Sequence, residues 1–263
     1  MSREVKGESR TCILSALMKV FVIIPAAGLG TRMGGLTAGA KPARVTPTSK
    51  QFTELGGTPI LIHTMRKFDA VEQVTELVLA LRPDNAAGFR ARLERERFRK
   101  TITVVDGGEH RQQSVANALG KINAAADDLV LVHDAVRPFV DGEIIASVIE
   151  AARKHGAAIA GLPAVDTVKQ VDRTAEGAII VSTVPRARVV MAQTPQGFRY
   201  DVLKKAFDDA QSDGFQGTDE ASLVERTGHE VAVVMGSAQN IKITTPLDLE
   251  LAEFFLSQER RRA

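Results

Sequence analysis

A run of apolar residues that ends in a turn of small residues is the strongest constraint on the fold of this 263-residue chain. Residues 20–34 read VFVIIPAAGLGTRMG. The β-branched run from Val20 to Ile24 is typical of a strand buried on both faces, as in a parallel sheet. Because Pro25 has no N–H to donate to a sheet, the strand is predicted to end there.

The turn after this strand is suited to phosphate groups. Ala26, Ala27, Gly28 and Gly30 let the backbone approach a ligand closely, so that successive N–H groups can hold phosphate oxygens. Arg32 adds a permanently charged planar group that pairs with phosphate. A Walker A loop is excluded because no Gly-Lys-Ser/Thr follows, and a dinucleotide fingerprint lacks its third glycine. From this stretch alone, an incidental arginine in an ordinary turn is an equal alternative.

Composition limits the class of protein. The chain is 44% hydrophobic and 25% charged with a net charge of +2, so no global charge favours nucleic acid or membrane as a partner. The single cysteine excludes an internal disulfide and a cysteine-rich zinc site. No apolar run approaches the roughly 20 residues of a membrane span. We therefore expect a cytoplasmic protein without nucleic-acid or membrane partners.

The N-terminus is predicted to lie outside the folded part. Residues 1–18 are polar and then briefly apolar, and Met18 is a plausible alternative start. A signal peptide would need a cleavage site after a longer apolar core. We expect residues 1–18 to be a disordered extension and residues 19–263 to form a single domain.

Helix and strand signals alternate along the rest of the chain. This alternation predicts an α/β fold with a doubly wound, mostly parallel sheet and helices on both faces. Asp84 and Asp141 are expected helix caps, and Gly156 an expected helix end. Further strands are predicted at 77–81, 101–105, 129–132, 157–162, 189–192, 231–235 and 241–244, and helices at 59–70, 84–97, 111–124, 141–156, 200–211 and from Pro246 onward.

The alternation breaks over residues 164–190. Strand-like pieces at 167–171 and 178–183 flank a turn at 172–177, which is the pattern of a hairpin. Because exposed apolar hairpin edges are commonly covered by a partner, we predict a protruding arm that mediates a homodimer. The loop at 33–50, rich in Gly, Ala, Thr and Pro, is expected to be mobile.

Polar residues at predicted strand ends are candidate ligands, because open α/β sheets bind ligands beyond the carboxyl ends of their strands. Asp106 and Gly107, with Ser114 in the next helix, could contact a base or ribose, or form an ordinary loop. Asp134 follows another buried strand and could hold Mg²⁺ bound to phosphates. An ion pair between Asp134 and Arg137 is the alternative, and both can hold; His133 is interpreted as structural.

Other charged and polar residues carry weaker signals when taken alone. Lys50, in Ser-Lys-Gln-Phe, could swing onto phosphates, although most loop lysines are only solvated. Arg186 lies on the predicted arm, where charge usually serves solubility. Thr218 is expected to cap a helix, and Lys242 lies on a half-exposed strand.

Together these residues form an ordered set of motifs. From about residue 20 to 256 the chain resembles the 2-C-methyl-D-erythritol 4-phosphate cytidylyltransferase family of the non-mevalonate isoprenoid pathway. The resemblance rests on PAAGLGTRMG, SKQF, VVDGGEHRQQSV, LVHDAVRPF, DTVK, TVPR, AQTPQGF, TDEAS and NIKITTPLDLELAE. It implies a Rossmann-like nucleotidyltransferase fold, similar to glycosyltransferase A, and CMP transfer from CTP to 2-C-methyl-D-erythritol 4-phosphate.

The resemblance also implies a role for each matching residue. The expected catalytic residues are Arg32, Lys50, Arg186 and Lys242. The expected nucleotide-binding residues are Pro25, Ala26, Ala27, Gly28, Gly30, Asp106, Gly107, Ser114, Asp134 and Ala135. The expected acceptor-binding residues are Asp134, Arg137, Thr167, Arg186, Thr218 and Lys242, with Mg²⁺ at Asp134. In the family the arm reaches into the partner's site, so Arg186 would act across a dimer interface.

Two departures from the family pattern matter. Ser49 precedes Lys50 where the family usually has proline, and the spacer after Arg32 is long, so Lys41 is a competing loop lysine. We prefer Lys50 because Gln-Phe follows it, as in the family. Val136 replaces a smaller residue and is expected to alter packing only.

The chemistry fits these residue types independently of the resemblance. Nucleotidyl transfer requires alignment of the attacking oxygen and neutralisation of developing charge, which cations and Mg²⁺ supply. A phosphate acceptor is already an anion and requires no strong base. The alternatives are a cytidylyltransferase for ribitol 5-phosphate or another polyol phosphate, a sugar-1-phosphate nucleotidyltransferase, and a non-catalytic nucleotide-binding regulator.

Overall fold

The computed structural model describes residues 18–28 and 50–262. The predictions for residues 1–17, for Gly30 and Arg32, and for residues 33–49 of the loop, including Lys41, lie outside the described residues.

A seven-stranded sheet forms the centre of the fold. In spatial order its strands are β11 (Ala232–Met235), β7 (Ala157–Pro163), β10 (Val190–Arg199), β6 (Leu129–Val132), β1 (Val20–Ala26), β4 (Glu76–Leu81) and β5 (Thr101–Asp106). Strand β10 runs antiparallel to both of its neighbours, whereas the other pairs are parallel. The mostly parallel sheet is therefore confirmed.

Helices cover both faces of this sheet. They are α1 (Ile60–Asp69), α2 (Pro83–Leu93), α3 (Arg111–Leu119), α4 (Gly142–His155), α5 (Tyr200–Ser212), α6 (Glu220–Arg226) and α7 (Pro246–Arg262). Alternate residues of β1 enter different cores: Val22 and Ile24 pack in the core that contains α1 and α4, and Ile23 in the core that contains α3 and α5. This alternation confirms the doubly wound arrangement.

Pro25 lies inside β1, contrary to the prediction that it would end the strand. The reason is the unequal length of the neighbouring strands. The ladder between β1 and β6 ends at Ile23, whereas the ladder between β1 and β4 continues to Ala26. The Ile23 carbonyl faces β6 and accepts from the His133 N–H at 3.0 Å. The Pro25 nitrogen faces the same side two residues later, so its missing N–H costs the sheet nothing.

Two predicted caps and one predicted strand are wrong. The N-cap of α2 is Arg82, and Asp84 lies in its first turn, paired with Arg82. The N-cap of α6 is Asp219 rather than Thr218, because the Asp219 carboxylate accepts from the Ser222 N–H at 3.0 Å. Residues 241–244 form no strand.

Backbone N–H groups of this segment donate to a loop carbonyl and to a side chain instead of to a neighbouring strand. The Ile243 N–H donates to the Val136 carbonyl at 2.9 Å. The Thr244 N–H donates to the Asp248 carboxylate at 2.8 Å. Segment 241–244 is therefore an irregular connection that is fixed through its last two residues.

Helix ends also differ from the predictions. Helix α2 ends at Leu93 and α3 ends at Leu119, where Gly120 follows. Glycine is a poor interior helix residue, which accounts for the shorter α3. Pro59 precedes α1 in a two-residue strand, β3 (Thr58–Pro59), which pairs with β2 (Glu54–Leu55).

Residues 164–190 contain the predicted hairpin. Strands β8 (Val168–Thr174) and β9 (Gly177–Val184) pair antiparallel in a sheet of their own. Both strands are longer than predicted, so the turn is shorter, and Gly177 adopts a φ of 146°. The apolar side chains of Ile179 and Ile180 are exposed. Dimerisation through this hairpin stays a prediction.

Among the helices of residues 18–28 and 50–262, none combines the length and apolar character needed to cross a bilayer.

Helix α4 has both predicted end signals. The Asp141 carboxylate accepts from the Ile144 N–H at 2.8 Å, and Gly156 ends the helix with a φ of 83°. An alanine at position 141 leaves that N–H without its acceptor. We expect Asp141→Ala to lower the free energy of unfolding by about 1 kcal/mol in urea denaturation. Asp141→Asn keeps an acceptor and is the control; an equal loss in both variants contradicts the capping role.

Candidate active site

A cavity of about 230 Å³ lies at the carboxyl ends of β1, β5 and β6. Nine of the predicted site residues line it: Pro25, Ala26, Ala27, Gly28, Lys50, Ser114, Asp134, Ala135 and Lys242. The remaining lining residues are Gln51, Gly108, Glu109, His110, Arg111, Val136, Ile243 and Thr244. The structure thus brings together residues that lie up to 219 positions apart in the sequence, from Pro25 to Thr244.

The loop after β5 packs closely against the turn after β1. A Cβ atom at Gly107 would lie 2.3 Å from the Cβ of Ala27 and 3.3 Å from Oγ of Ser114, so only glycine fits there. The Gly107 N–H donates to the Leu81 carbonyl at 2.7 Å. Ser114 Oγ accepts from the Gly108 N–H and donates to the His110 carbonyl, both at 3.0 Å. The loop after β5 is therefore held against the turn after β1 at one rim of the cavity.

Asp134 is the centre of the charged groups in the cavity. Its Oδ1 accepts from Arg111 Nε at 3.3 Å, and its Oδ2 accepts from Arg137 Nε at 3.2 Å. Lys242 Nζ lies 3.0 Å from the same Oδ2. The predicted Asp134–Arg137 ion pair is confirmed, and two further cations share the carboxylate.

The pKa of Asp134 follows from these neighbours. Burial alone raises the pKa of the carboxyl, but Arg111, Lys242 and Arg137 together hold that pKa well below its usual range. Opposite charges within a few ångströms favour the ionised form. Asp134 is therefore an anion throughout the neutral range.

A chain of hydrogen bonds fixes the backbone that carries Asp134. The Asp134 N–H donates to Thr194 Oγ1 at 3.0 Å, and Thr194 Oγ1 lies 3.1 Å from Nδ1 of His133. His133 Nε2 lies 3.1 Å from the Arg137 carbonyl, which can only accept, so the ring donates from Nε2. Burial lowers the pKa of His133 to about 4, so the ring is neutral. The structural role predicted for His133 fits this geometry.

The segment before Lys242 is anchored on the same loop. Arg137 Nη1 donates to the Asn240 carbonyl at 2.7 Å. The Asn240 side chain is fully buried, and its Nδ2 donates to the Thr194 carbonyl at 2.9 Å. These bonds place Lys242 beside Asp134 without a sheet ladder.

Lys50 lines the cavity beside the 242–244 segment. It begins a 3-10 turn, Lys50–Phe52, and its Nζ donates to the Thr244 carbonyl at 3.2 Å. The buried Gln51 side chain donates to the Ala26 carbonyl at the end of β1. Gln51 thus ties the turn that begins at Lys50 to the end of β1, while Lys41 lies outside the described residues.

Six predicted residues within residues 18–28 and 50–262 do not line the cavity of this chain, and Gly107 of the loop after β5 is one of them. Arg137 reaches it only through Asp134, and Asp106 is exposed at the end of β5. Thr167, Arg186 and Thr218 are exposed on or near other loops. Arg186 Nη1 donates to the Val165 carbonyl at 2.6 Å, within the arm itself.

The list of predicted site residues missed Arg111. It is the first residue of α3, lines the cavity and contacts both Asp134 and the buried Glu220. Burial lowers its pKa, but the two carboxylates outweigh this effect and raise the pKa above its usual range. The sequence does carry a signal for Arg111, because it is a cation at the start of a predicted helix, shortly after the Gly107-Gly108 loop.

The side chains available as metal ligands limit how a divalent cation could be bound. Within residues 18–28 and 50–262, no three His, Cys, Asp or Glu side chains are grouped as an all-protein metal site would need. Mg²⁺ commonly binds through one or two carboxylates and takes its other ligands from substrate phosphates and water. Asp134 meets that smaller requirement.

Comparison with known proteins gives one consistent family. A family model described as IspD, 2-C-methyl-D-erythritol 4-phosphate cytidylyltransferase, matches residues 20–258. The chain is 55% identical to the protein of that name from Acidobacterium capsulatum, over 93% of this chain and 100% of that protein. It is 51% identical to the one from Solibacter usitatus, over 94% and 99% respectively.

A solved structure shares the fold. The crystal structure of 4-diphosphocytidyl-2C-methyl-D-erythritol synthase from Anaerococcus prevotii matches 91% of this chain and 96% of its own, with a TM-score of 0.76 and 29% identity. The expected nucleotidyltransferase architecture is confirmed by this likeness.

The ionised Asp134 should stabilise the fold in a pH-dependent way. Asp134→Asn leaves buried cations without their shared anion and should lower the free energy of unfolding by about 3–5 kcal/mol at neutral pH. Because the folded pKa lies below the unfolded value, the carboxylate's contribution is complete above about pH 4 and is lost as pH falls toward the folded pKa. The difference between the two proteins in urea denaturation should therefore shrink below about pH 4.

The control for this measurement is Asp106→Asn, at an exposed carboxylate near the same cavity. It should change the free energy of unfolding by less than about 0.5 kcal/mol at every pH. A difference for Asp134→Asn that does not vary with pH contradicts the role of its charge.

Proposed function

The chain belongs to the 2-C-methyl-D-erythritol 4-phosphate cytidylyltransferase family, and from that premise we propose how its residues carry out the reaction. The protein transfers CMP from CTP to 2-C-methyl-D-erythritol 4-phosphate in isoprenoid biosynthesis. The acceptor phosphate oxygen bonds to the α-phosphorus of CTP as the bond from that phosphorus to the bridging β-oxygen breaks. Pyrophosphate leaves, and no proton has to be removed.

The observation that carries the assignment of roles is the charged cluster around Asp134. Three cations, Arg111, Arg137 and Lys242, face two carboxylates, Asp134 and Glu220, so the cluster has an excess of positive charge. Lys50 adds a further cation to the same cavity. A preorganised positive site stabilises the charge that develops on a transferring phosphoryl group.

The two loops at the rim are proposed to hold CTP. The backbone at Ala26, Ala27 and Gly28, continuing to Gly30, would take the triphosphate. Gly107 and Ser114 would lie against the cytidine. The support is the close packing of these two loops and their place on the lining of the cavity.

Cations are proposed to act on the phosphates. Arg32 and Lys50 would stabilise the transition state at the α-phosphate, and Lys242 would position the acceptor phosphate. Mg²⁺, held by Asp134 and by the phosphates, would neutralise further charge. The protein's own contribution is to fix Asp134 through Thr194, so that the carboxylate is in place before substrates arrive.

Residues of the arm are proposed to complete the site of a second subunit. Thr167 and Arg186 are exposed and do not line this chain's cavity. The hairpin exposes apolar side chains that a partner could cover, including Ile179 and Ile180. A homodimer would bring Arg186 of each arm to the acceptor phosphate of the other subunit. A cytoplasmic location stays a prediction of the sequence analysis.

Release of pyrophosphate tests the reaction directly. With CTP and Mg²⁺, the protein should turn over 2-C-methyl-D-erythritol 4-phosphate. Ribitol 5-phosphate, tested in parallel, should be a poor acceptor. Turnover of ribitol 5-phosphate alone would overturn the acceptor and keep the class of reaction.

The choice of loop lysine is tested by two matched substitutions. Lys50→Ala should lower kcat by about 10²–10³-fold, because one electrostatic donor to the transition state is removed. Lys41→Ala is the control and should have a mild effect. The reverse result would make Lys41 the lysine at the phosphates. Thermal unfolding of both variants checks that neither loss reflects misfolding.

A site shared between subunits predicts complementation. Arg32→Ala and Arg186→Ala chains should each be nearly inactive, yet a mixture should regain activity. One site of each heterodimer combines an intact nucleotide half with an intact arm, so random mixing restores about one site in four. Mixed chains that exchange subunits and stay inactive, or a fully active monomer, would refute the shared site.

A further inference from the structure

Glu220 is a buried carboxylate to which the proposed mechanism assigns no role in binding or catalysis. It is the first residue of α6 and only 1% exposed, and it does not line the cavity. Both of its oxygens accept from Nη1 of Arg111, at 2.6 and 2.8 Å. Burying a carboxylate is costly, and burial raises the pKa of Glu220 even though Arg111 opposes the shift.

The position of Glu220 is itself fixed. Asp219 caps α6, and its carboxylate also accepts from Gln196 Nε2 at 2.7 Å. Gln196 Oε1 accepts from the Ala221 N–H at 3.1 Å, and Gln196 is buried on β10. The central sheet thus holds the first turn of α6 from both sides of Glu220.

Glu220 and Asp134 accept from different nitrogens of Arg111. Nη1 is taken by Glu220, and only Nε contacts Asp134, at 3.3 Å on Oδ1. The other oxygen of Asp134 is left to Lys242 and Arg137. A guanidinium that is not held by a second carboxylate can turn until Nε and Nη2 donate in parallel to both oxygens of one carboxylate. Without Glu220, Arg111 would compete with Lys242 for Oδ2.

We propose that Glu220 is a positioning residue: by holding Nη1 of Arg111, it keeps Asp134 Oδ2 for Lys242 and thereby sets the place of the acceptor-binding lysine. This inference rests on the proposed function of Lys242. Glu220 acts through Arg111 and touches neither substrate. Its removal should therefore alter binding of the acceptor even where the protein remains folded.

Steady-state kinetics of Glu220→Gln, which keeps the shape and removes the charge, tests the proposal. The KM for 2-C-methyl-D-erythritol 4-phosphate should rise on the order of 10- to 100-fold. The KM for CTP should change less. Loss of folded protein lowers the apparent kcat and leaves KM unchanged, so a change confined to kcat would overturn the proposal.

A double-mutant cycle shows whether the effect passes through Arg111. In an Arg111→Gln background, Glu220→Gln should change the acceptor kcat/KM by less than about twofold, because the residue through which it acts is gone. Two independent, multiplicative losses would overturn the proposal. If Arg111→Gln is unfolded at the assay temperature, Arg111→Lys replaces it, since a lysine lacks the fork that serves both carboxylates.

Val224→Ala is the matched control for damage to α6. Val224 is fully buried on the same helix and packs in the core that contains α3 and α5. It should lower the unfolding temperature with the acceptor KM unchanged; a raised acceptor KM in this variant would overturn the proposal. A failure of the proposed function is distinguished from a failure of the Glu220 proposal, because the unsubstituted protein would then show no turnover.

Discussion

One buried carboxylate shared by three cations organises the site. Asp134 is buried just past β6, where an unpaired charge would be far too costly. Arg111, Arg137 and Lys242 compensate it, and each comes from a different part of the chain: the start of α3, the loop after β6 and the segment before α7. The position of each of these segments is therefore tied to a single anion.

The sheet topology makes this convergence possible. Strands β1 and β6 are parallel neighbours, so their carboxyl ends open on the same edge. Strand β6 ends three residues before β1 on that edge, which leaves Pro25 without a strand neighbour on the β6 side and gives His133 and Asp134 room to turn over the sheet. Antiparallel β10 then brings Thr194 beside Asp134, where its hydroxyl accepts the Asp134 N–H. The irregular end of the sheet is thus the part that fixes the carboxylate.

Local patterns predicted much of the fold and part of the site. The β-branched runs gave the strands, Asp141 and Gly156 gave the ends of α4, and Asp134 was found because it follows a buried strand. Segment 241–244 alternates like a strand, yet its N–H groups are taken by Val136 and Asp248. The Arg111–Glu220 pair joins residues 109 positions apart, and no local spacing records that contact. What escaped prediction was long-range pairing between side chains.

The three cations on Asp134 are not equivalent. Arg137 is 12% exposed and also donates to the Asn240 carbonyl, so it is fixed at both ends. Arg111 is held by Glu220 on its other side. Lys242 is 41% exposed and carries a compact charge on a flexible stem. An incoming phosphate therefore finds two cations whose geometry is already set and one that can turn toward it while Asp134 remains neutralised. The site is therefore preorganised around Asp134, and Lys242 can exchange its contact with Asp134 for one with the substrate when the substrate binds.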